Sequence, residues 1–442
     1  MQVEESEATI YRRPAELLQR LIRFDTTNPP GSEAACINYL RNLLASAGID
    51  CTLFARDDTR PNLIARLPGQ GHTAPLLLYG HVDVVTTNHQ QWSYDPFAAE
   101  EHDGFIWGRG ALDMKGGVAM MVAAFLRAKM EDLALPGEVV LCLLSDEEAG
   151  GSYGARFMVE QHAEQFTGVH YAIGEFGGFT YTLSGRRFYP IMVAEKQCCI
   201  VQASLSGPGG HAAFPARDGT LAHLASFLHT LNDHRLPVHV PVTTRLMIET
   251  LAGTLPRPSG LVLRQLLKPA LTDRVLDLIG KQGQSFDPLL HNTVNATIVR
   301  AGEKDNVIPS EVKVTLDGRI LPGYTADDFV RELGNLAGKD VKLEVLLYDP
   351  NPAKEPDLAL LPTLGGVLKE LDAAGTPLPL LLGAVTDGRF FSRLGIQTYG
   401  YTPMQLPAGW NFVDFIHASD ERIPTPAMDF GSDAIYRVLQ RF

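Results

Sequence analysis

An α/β fold, with a mainly parallel sheet interrupted by an inserted α+β domain, is the architecture this sequence predicts. Three observations carry it. From Pro14 to about Gly185 helical and strand patterns alternate, which is how layers packed on a parallel sheet read in sequence. From about Arg186 the order becomes β-α-β-β-α-β, a split βαβ arrangement. After the Pro-rich DPNPAKEP, helix and strand patterns resume to the end. The expected division is an outer domain of residues 1–186 and 351–442 and an insert of 187–350, elaborated at about 235–292. A chain of 442 residues has room for two or three domains of roughly 150 residues each.

The elements follow in order. Ser32 is placed to cap a helix over 33–47, which Gly48 stops. Strands are expected at 51–54, 62–67, 76–79 and 139–144; the last two are continuous apolar runs, as central parallel strands covered on both faces should be. Residues 116–129 are too long and too rich in Ala and Met for a strand and predict a buried helix. In the insert, 198–206, 293–300, 312–320 and 341–347 predict strands, and 219–232 and 326–336 helices. The weakly patterned 235–292 holds two candidate helices. No internal repeat or low-complexity tract is visible.

Composition excludes several classes of function. Apolar residues at 45% and charged residues at 20% are ordinary globular values. Lys plus Arg is 38 against 51 Asp plus Glu, a balance of −13 that repels nucleic-acid phosphates and anionic membranes, so neither is an expected partner. The acidic, polar start MQVEESEATIYRRP is unlike a secretory signal, and the longest apolar stretch, 118–126, falls far short of the roughly 20 residues that span a bilayer. Cys36, Cys51, Cys142, Cys198 and Cys199 are odd in number and lack CxxC spacing, which fits reduced thiols and a cytoplasmic location.

Metal-type ligands are dense in LLLYGHVDVV, GRGALDMKGG, LLSDEEAGG, AIGEFGG and FIHASDER, and four of these five segments follow or interrupt predicted strands. Loops beyond the carboxyl ends of strands in an open α/β sheet can converge on one site. His81 directly follows a strand, and Asp83, two residues on, lies on the same side and can orient its imidazole. Asp113 stands at the start of the buried helix, where an N-cap is the simpler role. Glu147 and Glu148 are adjacent carboxylates that can point apart, one to a metal and one to a water; a solvated acidic turn is the alternative. Glu175 and His417 complete a set of oxygen and imidazole ligands suited to two ions of zinc, manganese or cobalt.

These segments resemble, in order, the motifs of the M20 family of metallopeptidases, which includes succinyl-diaminopimelate desuccinylase, acetylornithine deacetylase, carboxypeptidase G-type enzymes, carnosinases and aminoacylases. GHVDVV, GRGALDMKGG and SDEEAGG carry the resemblance, and TDGRFFSRLG is similar to the desuccinylase branch, whereas the 235–292 elaboration resembles larger carboxypeptidase-like members. The resemblance implies a zinc-peptidase-like catalytic domain with an inserted dimerisation domain, and a homodimer. It implies that Asp113 bridges two divalent ions, zinc in the first place with cobalt or manganese as alternatives. His81 and Glu175 would complete one site, and Glu148 and His417 the other. Glu147 would be the general base, with Asp83 holding His81, and the Asp113–Met114 peptide would be cis. His211 would polarise the substrate carbonyl across the dimer interface, and Asn306, Arg319, Thr386 and Arg389 would contact substrate. Arg319 suits a bidentate grip on a carboxylate, and Arg389 has the alternative of bracing the loop 383–386.

The expected reaction is hydrolysis of an amide next to a free carboxylate, in a peptide or an N-acyl amino acid. A nucleotide-binding protein, which the glycines of GRGALDMKGG suggest, would need the glycine spacing of a dinucleotide fold or P-loop, and this sequence lacks it. A non-catalytic binding protein on the same scaffold would require loss of Glu147 or of a ligand, and none is lost.

Overall fold

The computed structural model describes residues 7–350 and 355–442. The first residues of the acidic amino terminus and the middle of the Pro-rich stretch, where the return to the outer domain was expected, lie outside them. The chain forms two compact units: one comprises the chain up to Val193 with Pro356–Leu380 and Thr386–Phe442, the other Ala194–Glu355 with Leu381–Val385. The strand Arg186–Glu195 pairs with Gln397–Gly400 in the sheet of the first unit, so that sheet extends past the residue where the sequence pattern changes.

At the centre of the first sheet Val139–Leu144, Leu76–His81, Tyr171–Gly174 and Gln397–Gly400 run parallel, and antiparallel strands lie outside them on either side, Asn62–Leu67 and Cys51–Phe54 at one margin and Arg186–Glu195 towards the other. Alternation sorts each strand between two cores. Leu76 and Leu78 face the helices Lys115–Met130 and Thr425–Leu439, whereas Leu77 and Tyr79 face Ala155, Met158, Phe390 and Phe391. With both faces covered, every residue of Leu76–His81 and Val139–Leu144 is buried, which explains their unbroken apolar runs.

The helix Ala34–Ser46 begins after Glu33, and Ser32 is not its cap. Glu33 holds that position, and its carboxylate is taken by a bidentate contact from Arg60, at 2.7 and 3.1 Å. A long-range ion pair has displaced the local capping that the sequence pattern favours.

In the second unit Thr293–Ala301, Glu311–Ile320, Gln197–Ser206 and Val341–Asp349 form one antiparallel sheet in that order. The helices Thr220–Asp233 and Ala326–Ala337 pack on it through Phe227, Phe329 and Leu333, and the second starts at a Thr325–Asp328 capping box. The elaboration contains three helices, Val242–Thr254, Ser259–Gln265 and Pro269–Ile279, where two were expected. The middle one is too short to show a helical period, and Pro256, Pro258 and Pro269 break the pattern on either side of it.

Candidate metal centre

Parallel strands in register bring their carboxyl ends to the same edge. His81 is the last residue of its strand and pairs with Leu144, so the turn that follows Leu144 starts beside it. That turn carries Glu147 and Glu148, and Glu175 directly follows the neighbouring strand Tyr171–Gly174. Asp113 precedes the helix Lys115–Met130 but does not cap it, so both of its carboxylate oxygens face the strand ends. The Asp113–Met114 peptide is cis. His417 lies in the loop before the strand Arg422–Pro424.

The four-way contacts have a repeated form. Nε2 of His81 lies 3.2 Å from Oδ1 of Asp113 and 3.2 Å from Oε2 of Glu175. Nε2 of His417 lies 3.2 Å from Oδ2 of Asp113 and 3.2 Å from Oε2 of Glu148. Each oxygen of one aspartate thus meets its own imidazole, which in turn meets its own carboxylate, giving two three-residue groups that share Asp113. Ligand atoms around a tetrahedral ion with bonds of 2.0–2.1 Å lie about 3.3 Å apart, so both groups fit zinc-sized cations. Oε1 of Glu148 is buried without a hydrogen-bond donor, which a cation would remedy. His81 is buried but the His417 side chain is 51% exposed, leaving one side of the cluster open to solvent.

Negative charge is in excess. Glu147, withdrawn from water and close to Glu175, has its carboxyl pushed well above the usual range. Glu148 and Glu175 are raised as well, by burial in the first place and by neighbouring carboxylates, despite the histidines. Concentrated carboxylates of this kind are what a bound cation neutralises.

Asp83 supports both sides of the cluster. Nδ1 of His81 is 3.0 Å from the Asp83 carbonyl oxygen and 3.4 Å from its Oδ1. The Asp83 carboxylate also accepts the backbone N–H groups of Glu147 and Glu148, both at 3.1 Å, and the Asn28 amide at 2.9 Å. Behind it, Asn28 donates to Asp146 at 3.1 Å, and Arg60 bridges Asp146 at 2.9 Å to Glu33. The sequence reading missed Asn28, Arg60, Glu33 and Asp146. Asp146 stood in plain view inside SDEE, but its partners lie far away along the chain. Asp387 was missed too. It sits between the chosen Thr386 and Arg389, is buried with no hydrogen bond to either carboxylate oxygen, and has its carboxyl pushed up to about 8, chiefly by burial.

Thr386 is buried, with Oγ1 accepting the Gly388 N–H at 3.0 Å, and Arg389 is buried with its guanidinium 4.5 Å from the centre of the Phe390 ring. The remaining expected site residues belong to the second unit. His211, exposed, pairs with Val307 on a two-stranded ribbon, and its Nδ1 accepts the Ala213 N–H at 3.1 Å. Asn306 adjoins it, with its carbonyl accepting the Ala212 N–H at 3.1 Å. The Arg319 fork is engaged by Asp317 on the same strand, at 2.7 and 3.0 Å.

A model of Peptidase family M20/M25/M40 matches residues 77–441. The chain belongs to this family. It is an M20-type enzyme, a metallohydrolase. It is 27% identical to a succinyl-diaminopimelate desuccinylase of Paracoccus denitrificans over 97% of this chain and 98% of that one. It is also 27% identical to the human N-fatty-acyl-amino acid synthase/hydrolase PM20D1, over 83% of this chain and 74% of that one. The fold matches an M20 family metallo-carboxypeptidase from Sulfolobus solfataricus with a TM-score of 0.68 at 18% identity, covering 97% and 98% of the two chains. It also matches a dinuclear metal binding M20 peptidase of Bacillus subtilis with a TM-score of 0.61 at 14% identity, covering 98% of each. No helix among the described residues is long and apolar enough to cross a membrane, and none of the five cysteines is joined in a disulfide.

Proposed function

We propose that this M20 member is a two-metal hydrolase that cleaves an amide bond next to a free carboxylate, in a peptide or an N-acyl amino acid. The observation that carries the reading is the shared aspartate: each oxygen of Asp113 lies 3.2 Å from a separate histidine, and that histidine lies 3.2 Å from a separate glutamate. His81, Asp113 and Glu175 would hold one ion, and Asp113, Glu148 and His417 the other. Zinc suits this donor set best, with cobalt or manganese next. Three protein ligands per ion leave a position open for chemistry. When bound, the two ions would supply Lewis acidity to a scissile carbonyl and acidify an attacking water.

This chain's own residues do the rest. Glu147 takes a proton from the attacking water and returns it to the leaving amine, because it is the one carboxylate of the SDEE turn outside both ligand groups that stands beside them without a charged partner of its own. Burial and the nearby Glu175 raise its proton affinity, as suits a group that accepts a proton. Asp83 fixes the turn that aims Glu147 by holding two of its backbone N–H groups. A substrate carboxylate would be met by Arg319, released from Asp317, with Asn306, Thr386 and Arg389 also touching substrate. His211 would donate a hydrogen bond to the developing oxyanion from the second copy in a homodimer.

The relatives' names, a desuccinylase, an N-fatty-acyl-amino acid synthase/hydrolase and a metallo-carboxypeptidase, support a substrate that joins an acyl group to an amino acid. The test is metal content by mass spectrometry together with hydrolysis of dipeptides and N-acyl amino acids, with and without chelator. Two equivalents of metal and chelator-sensitive hydrolysis are expected. A metal-free protein whose activity ignores chelator would overturn the reading.

A further inference from the structure

Outside the ligand groups, one buried side chain touches the backbone of the shared aspartate. Glu421 is fully buried. Its Oε1 accepts the N–H groups of Leu112 at 2.7 Å and Asp113 at 3.1 Å. Its Oε2 accepts the Gly110 N–H at 3.2 Å and a charge-assisted bond from Nη1 of Arg109 at 2.7 Å. The Glu421 carbonyl also accepts the Gly108 N–H at 2.9 Å. One residue four positions after His417 therefore fixes the whole turn that presents Asp113.

The same assembly grips the His417 loop. Nη2 of Arg109 donates to Oε1 of Gln90 at 2.6 Å, and Nε2 of Gln90 donates to the His417 carbonyl at 2.8 Å. Ser93 ties the loop again, its N–H and hydroxyl reaching the Asp420 carboxylate at 2.7 and 2.8 Å. This fixing has something to hold, because His417 and Asp420 both adopt left-handed backbone, with φ of 59°.

We propose that Glu421, Arg109 and Gln90 form a clamp that sets the spacing of the Asp113 and His417 loops, and so tunes the affinity of both metal sites. The inference rests on the two-metal reading above. Glu421 acts on Asp113, which belongs to both ligand groups, so its loss should weaken both. Gln90 bonds the His417 carbonyl directly and bears on Asp113 through Arg109 and Glu421, so its loss should weaken the Glu148–His417 site more than the His81–Glu175 site. These are positioning residues: none of them is itself a ligand.

The experiment is zinc titration against a chromophoric chelator, with metal-free thermal unfolding measured in parallel. Glu421→Gln presents amide hydrogens to backbone donors. It should lower zinc affinity at both sites by about 10- to 100-fold, the usual cost of losing an outer partner of a ligand. Gln90→Leu, at a half-buried position, should leave metal-free unfolding unchanged. Combined with His81→Ala, which keeps the His417 site, it should weaken the remaining zinc; combined with His417→Ala, it should have a clearly smaller effect. A folded Glu421→Gln protein with wild-type affinity at both sites would overturn the clamp. Equal effects of Gln90→Leu in the two backgrounds would do so as well, and decide the matter alone where Glu421→Gln does not fold. A wild-type protein that binds fewer than two zinc ions removes the two-metal reading itself, and is told apart from failure of the clamp because it appears before any substitution is made.

Discussion

Asp146, Phe176 and His417 hold left-handed backbone, with φ of 70°, 65° and 59°, and each belongs to one of the two candidate ligand groups or lies within two residues of a member. A non-glycine residue held in this region costs about 1 to 3 kcal/mol, and such positions gather where a site dictates the geometry. The roles assigned to neighbouring carboxylates can be separated by substitution. Asp113→Ala should abolish both zinc equivalents and His81→Ala mainly one, as counted by mass spectrometry; an Asp113→Ala protein that still binds two would contradict the shared role. Glu147→Gln should keep its metal while losing about 10²- to 10⁴-fold in turnover, the usual contribution of a placed general base. Equal metal loss in Glu147→Gln and Glu148→Gln would show that the pair has been divided wrongly. At this scale His81, Asp113, Glu148, Glu175 and His417 were legible because ligand-type residues stood in short strings, most of them glycine-rich and at strand ends. Asn28, Arg60 and Glu421 were not, because what marks them is a partner: Glu421 holds N–H groups some three hundred positions back along the chain.

The elements convert strand register into ligand placement, and glycine makes the closest approaches possible. Gly400 ends the strand beside Tyr171–Gly174, and a Cβ there would lie 1.8 Å from the Phe176 carbonyl oxygen and 2.4 Å from that of Glu175. Both obstacles are backbone, so the loop carrying Glu175 must move. Gly400→Ala should therefore lower thermal stability and weaken zinc binding at the His81–Glu175 site more than at the Glu148–His417 site. Chelator titration in the His81→Ala and His417→Ala backgrounds would read this, and an equal loss at both sites would count against it. Strands and long helices were legible because two covered faces produce unbroken apolar runs and one covered face produces alternation, as in Gln197–Ser206. Ser32 misled because its capping signal is local whereas the Glu33–Arg60 pair that fixes the turn is not. The helix Ser259–Gln265 escaped because so short a segment has no period to read.

For the whole molecule, the second unit carries three candidate substrate residues, His211, Asn306 and Arg319, and a sheet with open margins. Its edge strands Thr293–Ala301 and Val341–Asp349 expose Ile298, Val299, Leu346 and Leu347. An apolar open edge invites pairing, and two copies related by a two-fold axis would cover it by presenting the same surface to each other. If His211 serves the site of the second copy, two separately disabled proteins must rescue each other. His211→Ala lacks the oxyanion donor, whose loss costs roughly 10²- to 10³-fold, and Glu147→Gln lacks the base. In a mixed dimer, the subunit carrying the His211→Ala substitution keeps Glu147 and receives an intact His211 from its neighbour, while the other site lacks both groups. Equal mixing gives mixed dimers in about half of the population, each with one working site of two, so recovery should reach about a quarter of wild-type activity. Were His211 to act within its own chain, every site in every dimer would carry one defect and mixing would recover nothing. Subunit exchange must be shown independently, by mass spectrometry of differently tagged chains. A fully active monomer would remove the trans arrangement altogether, leaving His211 as a donor from its own chain or a surface histidine of the ribbon.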